Sequence, residues 1–371
     1  MEYSFLKKIL PTIFSKKFLK KNSMVIDFKI TQGSTHFLNY FYLPQNKRTL
    51  VYNDRTIAVV VPAYNEELLI ADTLSSIPSF VDRIYAVNDA SLDNTQKVIE
   101  EISRKDTRVV PIRHEKNSGV GAAVSSGYKR ARDDHMDITV VIDGDNQMDS
   151  QLMPSMIDPI VKNRADYTKG NRLLSPEYRG GMRTWRFIGN TILTFLTKFS
   201  SGYWNLMDPQ NGYTAISYRA LERINLDTMY PRYGYLNDLL VKLNVFGFRV
   251  MNIEMPSRYG RETSKIKYGR YIRTVSMLLL GDFLYRLKMK YVVLSFHPLV
   301  IFYLFGFAMN LTGMLAGIFT LYWVIVMHGP LFIRGILSLL IFAFGFQFLS
   351  FALLFDIQES RGLTRMEWDD E

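Results

Sequence analysis

Short apolar runs alternate with amphipathic ones through the first half of the chain. "TIAVVVPAY", Thr56 to Tyr64, is a β-branched run of strand length. "NEELLIADTLSSI" follows, with Leu68, Leu69, Leu74 and Ile77 at near-helical spacing behind Asn65 in a capping position. "DRIYAVND" predicts a second strand and "DNTQKVIEEISRK" a second helix. "RVVPIRH" predicts a third strand, "GVGAAVSSGYKRARD" a third helix and "DITVVID" a fourth strand. Nearly continuous apolar strands separated by helices imply an α/β fold, a mostly parallel sheet with helices on both faces. Ligands of such sheets gather beyond the carboxyl ends of the strands. Polar residues stand at those ends: Asn65 and Glu66 after the first strand, Asp89 after the second, Asp143 and Asp145 after the fourth.

The other end of the chain has a different pattern. Leu299 to Met327 is uncharged over about 29 positions, and Gly335 to Phe355 over about 21, each enough to cross a bilayer core as a helix. The short link between them predicts a C-terminal transmembrane helical hairpin. Arg270, Arg273, Arg286, Lys288 and Lys290 crowd its approach, whereas the link offers Arg334 and His328. The positive-inside rule then places the main body in the cytoplasm and brings the acidic tail back to it. Gly313 and Gly317, four apart, would let a neighbouring helix come close. "SFLKKILPTIFSKKFLKKN" pairs lysines with Leu6, Ile9, Leu10, Ile13, Phe14 and Phe18, the pattern of a surface-lying helix or of a basic arm. Its apolar runs are too short for a secretory signal. Strands are expected between Val25 and Asn53.

Composition narrows the chemistry. There is no cysteine, which excludes a disulfide framework and thiolate-bound metal. The net charge of +10 implies an anionic partner: nucleic acid, phospholipid or a phosphorylated substrate. The terminal apolar pair favours the membrane, and nucleic acid is not expected.

"TVVIDGDNQMDS", Thr139 to Ser150, crowds acidic residues at one strand end. Like charges a few ångströms apart repel unless a cation sits among them. In an extended chain Asp143, Asp145 and Gln147 face the same way, presenting two carboxylates and an amide carbonyl to one point. Mg²⁺ or Mn²⁺ takes such oxygen ligands and leaves positions for substrate phosphates. The alternative is a turn of common Asp, Gly and Asn composition. "NSGVGAAVSSG" also raises a nicotinamide dinucleotide fold. The Gly119-x-Gly121 spacing suits it, but Val124 holds the third glycine position and the stretch follows the third strand, not the first.

"VVPAYNEE", "VNDASLDNT", "NSGVGAAVSSG" and "VIDGDNQ", in that order, resemble family 2 glycosyltransferases of the GT-A, Rossmann-like fold. "KGNRL", "DPQNGYTAIS" and "YGRETSK", followed by the paired apolar tail, are similar to the polyprenyl-phosphate (dolichyl-phosphate) mannose and glucose synthases. The resemblance implies that Pro62, Ala63, Tyr64, Glu66 and Gly119 line the nucleotide pocket and that Asp89 accepts from the base. It implies that Asp143, Asp145 and Gln147 hold Mg²⁺ or Mn²⁺ on the donor diphosphate. It places Arg172 and Arg186 on the acceptor phosphate, and Arg261, Ser264 and Lys265 in a loop closing over both. Asp208 is expected near the acceptor, while Asn190 stands where a small hydroxyl residue would be expected. The domain plan is a basic extension (1–54), a GT-A catalytic domain (55–266), juxtamembrane amphipathic helices (267–290), two transmembrane helices (291–357) and a cytoplasmic tail (358–371). Met182 to Phe199 is expected as a further membrane-surface helix.

The implied reaction is inverting sugar transfer from a UDP- or GDP-linked donor to a membrane polyprenyl phosphate, giving a lipid-linked monosaccharide. A lipid phosphate is already largely dianionic near neutral pH and needs positioning more than a base. Arginine suits that task by its bidentate fork. Transfer to a hydroxyl would instead need a base, for which Asp208 and Asp238 are the candidates. A degenerate transferase acting as a membrane scaffold or sensor is the non-enzyme alternative. The expected location is a cell membrane, or an endoplasmic-reticulum-type membrane in a eukaryote, crossed more than once. Sugar, base, exact lipid and any homo-oligomer are not legible.

Overall fold

Side-chain alternation along the strands decides the architecture. In β1 (Ile57–Ala63), Ile57, Val59 and Val61 point to one face and Ala58 and Val60 to the other, and all are fully buried. Two separate apolar cores result, one on each face of the sheet. The first joins Ala58 and Val60 to Tyr85 and Val87 of β2 (Arg83–Asn88) and to Ala123, Val124 and Tyr128. The second joins Ile57, Val59 and Val61 to Ile70, Leu74, Ile99, Met156 and Ile157. Each large apolar side chain withdrawn from water contributes roughly 1.5–3 kcal/mol before entropy is counted. A strand covered on both sides cannot slip register without exchanging these two sets.

The structure, a computed structural model, describes residues 52–172, 184–256 and 268–366. In chain order the further strands are β3 (Val109–Arg113), β4 (Ile138–Val141), β5 (Tyr167–Asn171), β6 (Thr214–Ser217), β7 (Val250–Glu254) and β8 (Thr364–Met366). The helices are α1 (Ile70–Ser76), α2 (Thr95–Ser103), α3 (Val120–Asp133), α4 (Met153–Val161), α5 (Thr184–Ser201), α6 (Tyr218–Arg223), α7 (Tyr235–Val245), α8 (Tyr268–Lys288), α9 (Leu299–Val326) and α10 (Phe332–Glu359). The sheet runs β3-β2-β1-β4-β6-β5-β7-β8, with β6 antiparallel to both neighbours and all other pairs parallel. The expected mostly parallel α/β body is therefore present, with a C-terminal hairpin of two long apolar helices.

The helix expected from Asn65 starts only at Ile70. Asn65 is left-handed (φ 58°), and its side-chain oxygen accepts from the Leu92 N–H at 2.8 Å. The Asn65, Glu66 and Glu67 N–H groups donate to Ser91, Thr95 and Asp93. The left-handed Asn65 takes the chain out of helical conformation there, and the first helical bond runs from Ile70 N to Glu66 O. Tyr52 packs on Phe80 and donates to Asp158 at 2.5 Å, so the body begins slightly before the expected boundary at 54/55. The strands expected between Val25 and Asn53 fall almost wholly outside the described residues, as does the basic N-terminal segment.

The hairpin helices are largely exposed. Only 22% and 17% of their most apolar windows are buried, and both are long and apolar enough to cross a membrane. Close packing relies on glycine: a Cβ at Gly313 would lie 2.7 Å from the Phe342 nitrogen, and one at Gly345 2.6 Å from that of Asn310. Gly317, expected to share this role, faces open space.

The segment expected as surface helices (267–290) is α8 followed by a π turn, Met289–Leu294, and it is two-sided. Val275, Leu279, Phe283 and Leu287 are buried, while Met277, Leu280 and Leu284 are exposed. Among the described side chains of α5, Thr194 and Thr197 face inward and Ile192 and Phe195 outward. The tail after 358 is not free: Thr364–Met366 pair with Val250–Asn252 as the edge strand β8. The C-terminal end of the hairpin thus returns to the sheet.

One fully buried ion pair fastens the hairpin. Arg286 of α8 donates to both carboxylate oxygens of Asp356 in α10, at 2.6 and 2.8 Å. Tyr291 donates to the same carboxylate, and Arg286 also donates to the Ser200 and Phe199 carbonyls at the end of α5. Removing one member of such a pair leaves an uncompensated buried charge, so Asp356→Ala is expected to cost about 3–5 kcal/mol, read from denaturation of the detergent-solubilised protein.

A second buried acid lies where α8 crosses α7. Desolvation, and then the Asp238 carboxylate, raise Asp282 from 3.8 to about 7, partly offset by Lys242. The folded form keeps a proton that the unfolded chain releases near pH 4, so this residue makes stability fall as pH rises between those two values. Asp282→Asn is expected to remove that slope. Melting temperatures of both proteins between pH 4.5 and 8 check it: the variant should gain on the parent as pH rises to about 7 and keep a constant lead above.

Candidate active site at the carboxyl ends of the strands

β1, β2 and β4 run parallel, so the residues that follow them emerge at one rim. Pro62 and Ala63 end β1 and are buried, Tyr64 is exposed beyond them, and Glu66 lies in the following turn. Past β4 the chain keeps to β1 for three more residues: Ile142 N donates to Val60 O and Gly144 N to Pro62 O. Thr73 of α1 donates to the Gly144 carbonyl at 3.1 Å.

The chain then turns. Gly144 and Asp145 form the turn, Asn146 is left-handed (φ 55°), and Gln147 N donates back to Asp145 Oδ1 at 3.1 Å. The expected extended arrangement of Asp143, Asp145 and Gln147 is therefore corrected, because turn hydrogen bonding between these same residues replaces strand continuation. Asp149 has a separate duty, capping the short helical turn Ser150–Leu152. Burial first, and the Asp145 carboxylate second, push Asp143 up to about 7, against the lowering influence of Arg172 and Lys169. Two mutually repelling carboxylates form a donor set that a hard divalent cation would relieve. No cluster of three or more His, Cys, Asp or Glu exists among the described residues. Any such ion would therefore complete its shell with Gln147, water or substrate oxygens, as Mg²⁺ commonly does.

The opposite wall comes from β5 and the loop before β6. Asp208, buried and left-handed (φ 44°), accepts from Arg172 Nε at 2.7 Å, from Nη2 at 3.1 Å and from its backbone N–H at 3.2 Å. That bidentate grip fixes the guanidinium plane. Gly212, four residues on, presses against Asp143: a Cβ there would lie 2.8 Å from Asp143 Oδ2. Lys169 is fully buried and donates to the Asn211 carbonyl. Desolvation drives its pKa down to about 7, with Asp208 and Asp143 pulling the other way.

Asp89 is built into the third wall. Its Oδ1 accepts from His114 Nδ1 at 2.7 Å and from Ser118 N at 2.9 Å, and its Oδ2 from Gly119 N at 2.7 Å. A carboxylate only accepts, so Nδ1 carries the proton, and His114 Nε2 meets Ser126 Oγ at 2.9 Å. Asp89 thus holds the Gly119 loop before it can serve any base. Beside it opens a cavity of about 380 Å³ lined by Ala90, Ser91, Leu92, Arg113, His114 and Glu115. Gly119 (φ 100°) and Gly121 admit the Tyr230–Pro231 backbone, which a Cβ at either would strike within 2.5 Å. Asp238 buttresses that segment, accepting from Tyr230 N at 2.7 Å and pairing with Lys242.

Arg186 stands in the first turn of α5, with its side chain and that of Asn190 outside the described ones. Arg261, Ser264 and Lys265 lie outside the described residues. Lys169, His114 and Gly212 were not singled out from sequence. A lysine inside the otherwise uncharged strand "YTKGN" was the one available signal.

The family model for glycosyl transferase family 2 matches residues 58–224, the segment that carries this rim. A UDP-N-acetylglucosamine–dolichyl-phosphate N-acetylglucosaminyltransferase of Methanococcus voltae is 29% identical over 249 residues, 62% of this chain and 99% of its own. An uncharacterized protein of Methanocaldococcus jannaschii is 30% identical over 216 residues, 58% of this chain and 86% of its own. Glucosyl-3-phosphoglycerate synthase from Mycobacterium tuberculosis, solved with Mn²⁺, UDP and glucosyl-3-phosphoglycerate, aligns at 20% identity and a TM-score of 0.48 over 62% of this chain and 80% of its own. The family match and the 30% identical relative together make this chain a member of glycosyltransferase family 2.

Proposed function

We propose that the protein transfers a sugar, with inversion, from a nucleotide-diphosphate donor to a membrane polyprenyl phosphate such as dolichyl phosphate. The observation that carries this reading is the rim itself, where Asp143, with Asp145 beside it, feels the charge of an Arg172 locked by Asp208. The Methanococcus voltae relative, spanned over 99% of its length and named for a dolichyl-phosphate acceptor, supports the acceptor class. It also favours a UDP-linked donor over a GDP-linked one.

In this reading Asp143, Asp145 and Gln147 would hold Mg²⁺ or Mn²⁺. Such an ion would offset the charge gathering on the leaving diphosphate. Pro62, Ala63, Tyr64, Glu66 and Gly119 line the nucleotide side. Asp89 keeps the Gly119 loop in place, and its carboxylate faces the base from there. Arg172, together with Arg186, orients the acceptor phosphate so that one oxygen attacks the anomeric carbon opposite the leaving group. Arg261, Ser264 and Lys265 would close over both substrates. A dianionic phosphate needs no proton removed, in keeping with a site whose acids are engaged elsewhere. A hydroxyl acceptor would require Asp208 or Asp238 as base, yet each is tied to a cation.

The membrane arrangement follows the same reading. The hairpin spans the bilayer twice with its base at the catalytic body, on the cytoplasmic face. The outward apolar residues of α5 and α8, Ile192, Phe195, Met277, Leu280 and Leu284, sit at headgroup depth. A lipid phosphate then meets the strand-end rim without leaving the interface.

The direct test incubates the purified full chain with radiolabelled UDP- and GDP-sugars, polyprenyl phosphate and Mn²⁺, with and without chelator. Label entering an acid-labile lipid fraction only with metal is the expected result; an acid-stable, hydroxyl-linked product would overturn it. Asp145→Asn is expected to lower turnover at least about a hundredfold with the fold intact, since it removes charge where the leaving group is stabilised. Gly212→Ala, whose Cβ would lie 2.8 Å from Asp143 Oδ2, is expected to lower turnover about tenfold or more by displacing that carboxylate, measured beside an unchanged circular-dichroism spectrum.

A further inference from the structure

Lys169 is a buried cation that the transfer reaction, as read above, does not use. It sits in β5 two residues after Tyr167, so it continues the strand face that carries the first core toward the rim. An apolar residue would ordinarily fill such a position, because a buried ammonium is costly. Lysines buried this deeply are usually paired directly with a carboxylate. Lys242, the other buried lysine of the sheet domain, is so paired with Asp238. Among the described residues, Lys169 instead donates to a backbone carbonyl, that of Asn211, and to no carboxylate.

That carbonyl belongs to the Asn211–Gly212 peptide. The Gly212 side of this peptide lies against Asp143 Oδ2, at a distance that leaves no room for a Cβ. Asn211 N also donates to the Asp208 carbonyl, at 3.2 Å, and Asn211 Oδ1 accepts from Tyr213 N at 3.0 Å. The 208–212 loop therefore has the ammonium under one peptide, Asp143 against the next residue, and Asp208 gripping Arg172 at its start. Arg172 is committed to Asp208 by two side-chain hydrogen bonds. Lys169 has no such commitment and exerts its charge on Asp143 and Asp208 together.

We propose that Lys169 is a positioning residue of the donor site: it seats the Asn211–Gly212 peptide against Asp143 and brings a positive charge to bear on that carboxylate before a divalent cation arrives. The inference rests on the metal-dependent donor reading. The lysine and the ion do the same electrostatic work on Asp143, so each matters most when the other is missing. The lysine also opposes the ion's entry, which keeps metal binding reversible between turnovers.

The test compares the full chain with Lys169→Met, which keeps length and removes charge, and with Lys169→Gln, which keeps an N–H donor and removes charge. Mn²⁺ binding is followed by electron paramagnetic resonance, and melting temperature is recorded with and without saturating Mn²⁺. Both variants are expected to melt below the parent in chelator and to recover most of that deficit when Mn²⁺ is added. Their Mn²⁺ dissociation constant is expected to fall about tenfold, because a like charge near the ion has gone. Turnover falls in both. An equal melting deficit with and without Mn²⁺, or failure to fold under both conditions, assigns Lys169 to packing and overturns the proposal. Lys169→Gln behaving like the parent would show that the hydrogen bond alone matters, and overturns the charge role. If the parent itself binds no Mn²⁺, the donor-site reading fails and takes this inference with it.

Discussion

Asp143 lies where water cannot freely solvate it, next to a second carboxylate, and the rim of the sheet is organised around that difficulty. Burial and the neighbouring charge both favour its neutral form. The structure answers with fixed parts. β1 and Thr73 hold the backbone on one side of it, and Gly212 comes close enough to hold the carboxylate on the other. Lys169 and Arg172, on and just past the strand beyond, favour its charged form. A preorganised set of charges of this kind is where a charged substrate carrying its own counter-ion gains most from binding.

A second buried charge ties the helices of the catalytic body to the hairpin. Arg286 reaches α10 through Asp356 and α5 through two backbone carbonyls, so three helices meet on one guanidinium. Gly202, left-handed at φ 77°, leaves the space that group occupies. β8 adds a backbone tether between the end of α10 and β7. The C-terminal end of the hairpin is thereby tied to α5 and α8 by the ion pair and to the sheet by β8. An ion pair at this point specifies geometry more than it adds stability, since charge burial offsets much of its Coulomb energy.

The parts legible in sequence were those whose signals are local. Strand β1 reads as seven buried apolar positions, and the hairpin as two uncharged stretches, whatever packs against them. The rim was legible because parallel strands deliver their following residues to one side, so Asp89, Asp143 and Asp145 could be grouped before any coordinates. Where the reading differed from the structure, a partner distant in the chain had decided the outcome. Asn65 looked like a helix cap and became a left-handed link to Leu92. Gly317 looked equivalent to Gly313, but helix rotation turned only one of them toward its neighbour. Thr364–Met366, within the expected tail, add to β7 as an edge strand that no local pattern announced.

The sequence by itself determined the α/β body, the strand-end location of the acidic group, the apolar hairpin and the family, since periodicity, uncharged length and motif order are properties of the chain alone. Tertiary structure decided which acids are occupied by in-chain donors, that a lysine lies buried behind the acidic turn, and that Arg286 clasps Asp356. Those outcomes depend on distances between segments tens to more than a hundred residues apart. Hydrogen bonding and charge burial act across such distances in space, and no local pattern records them.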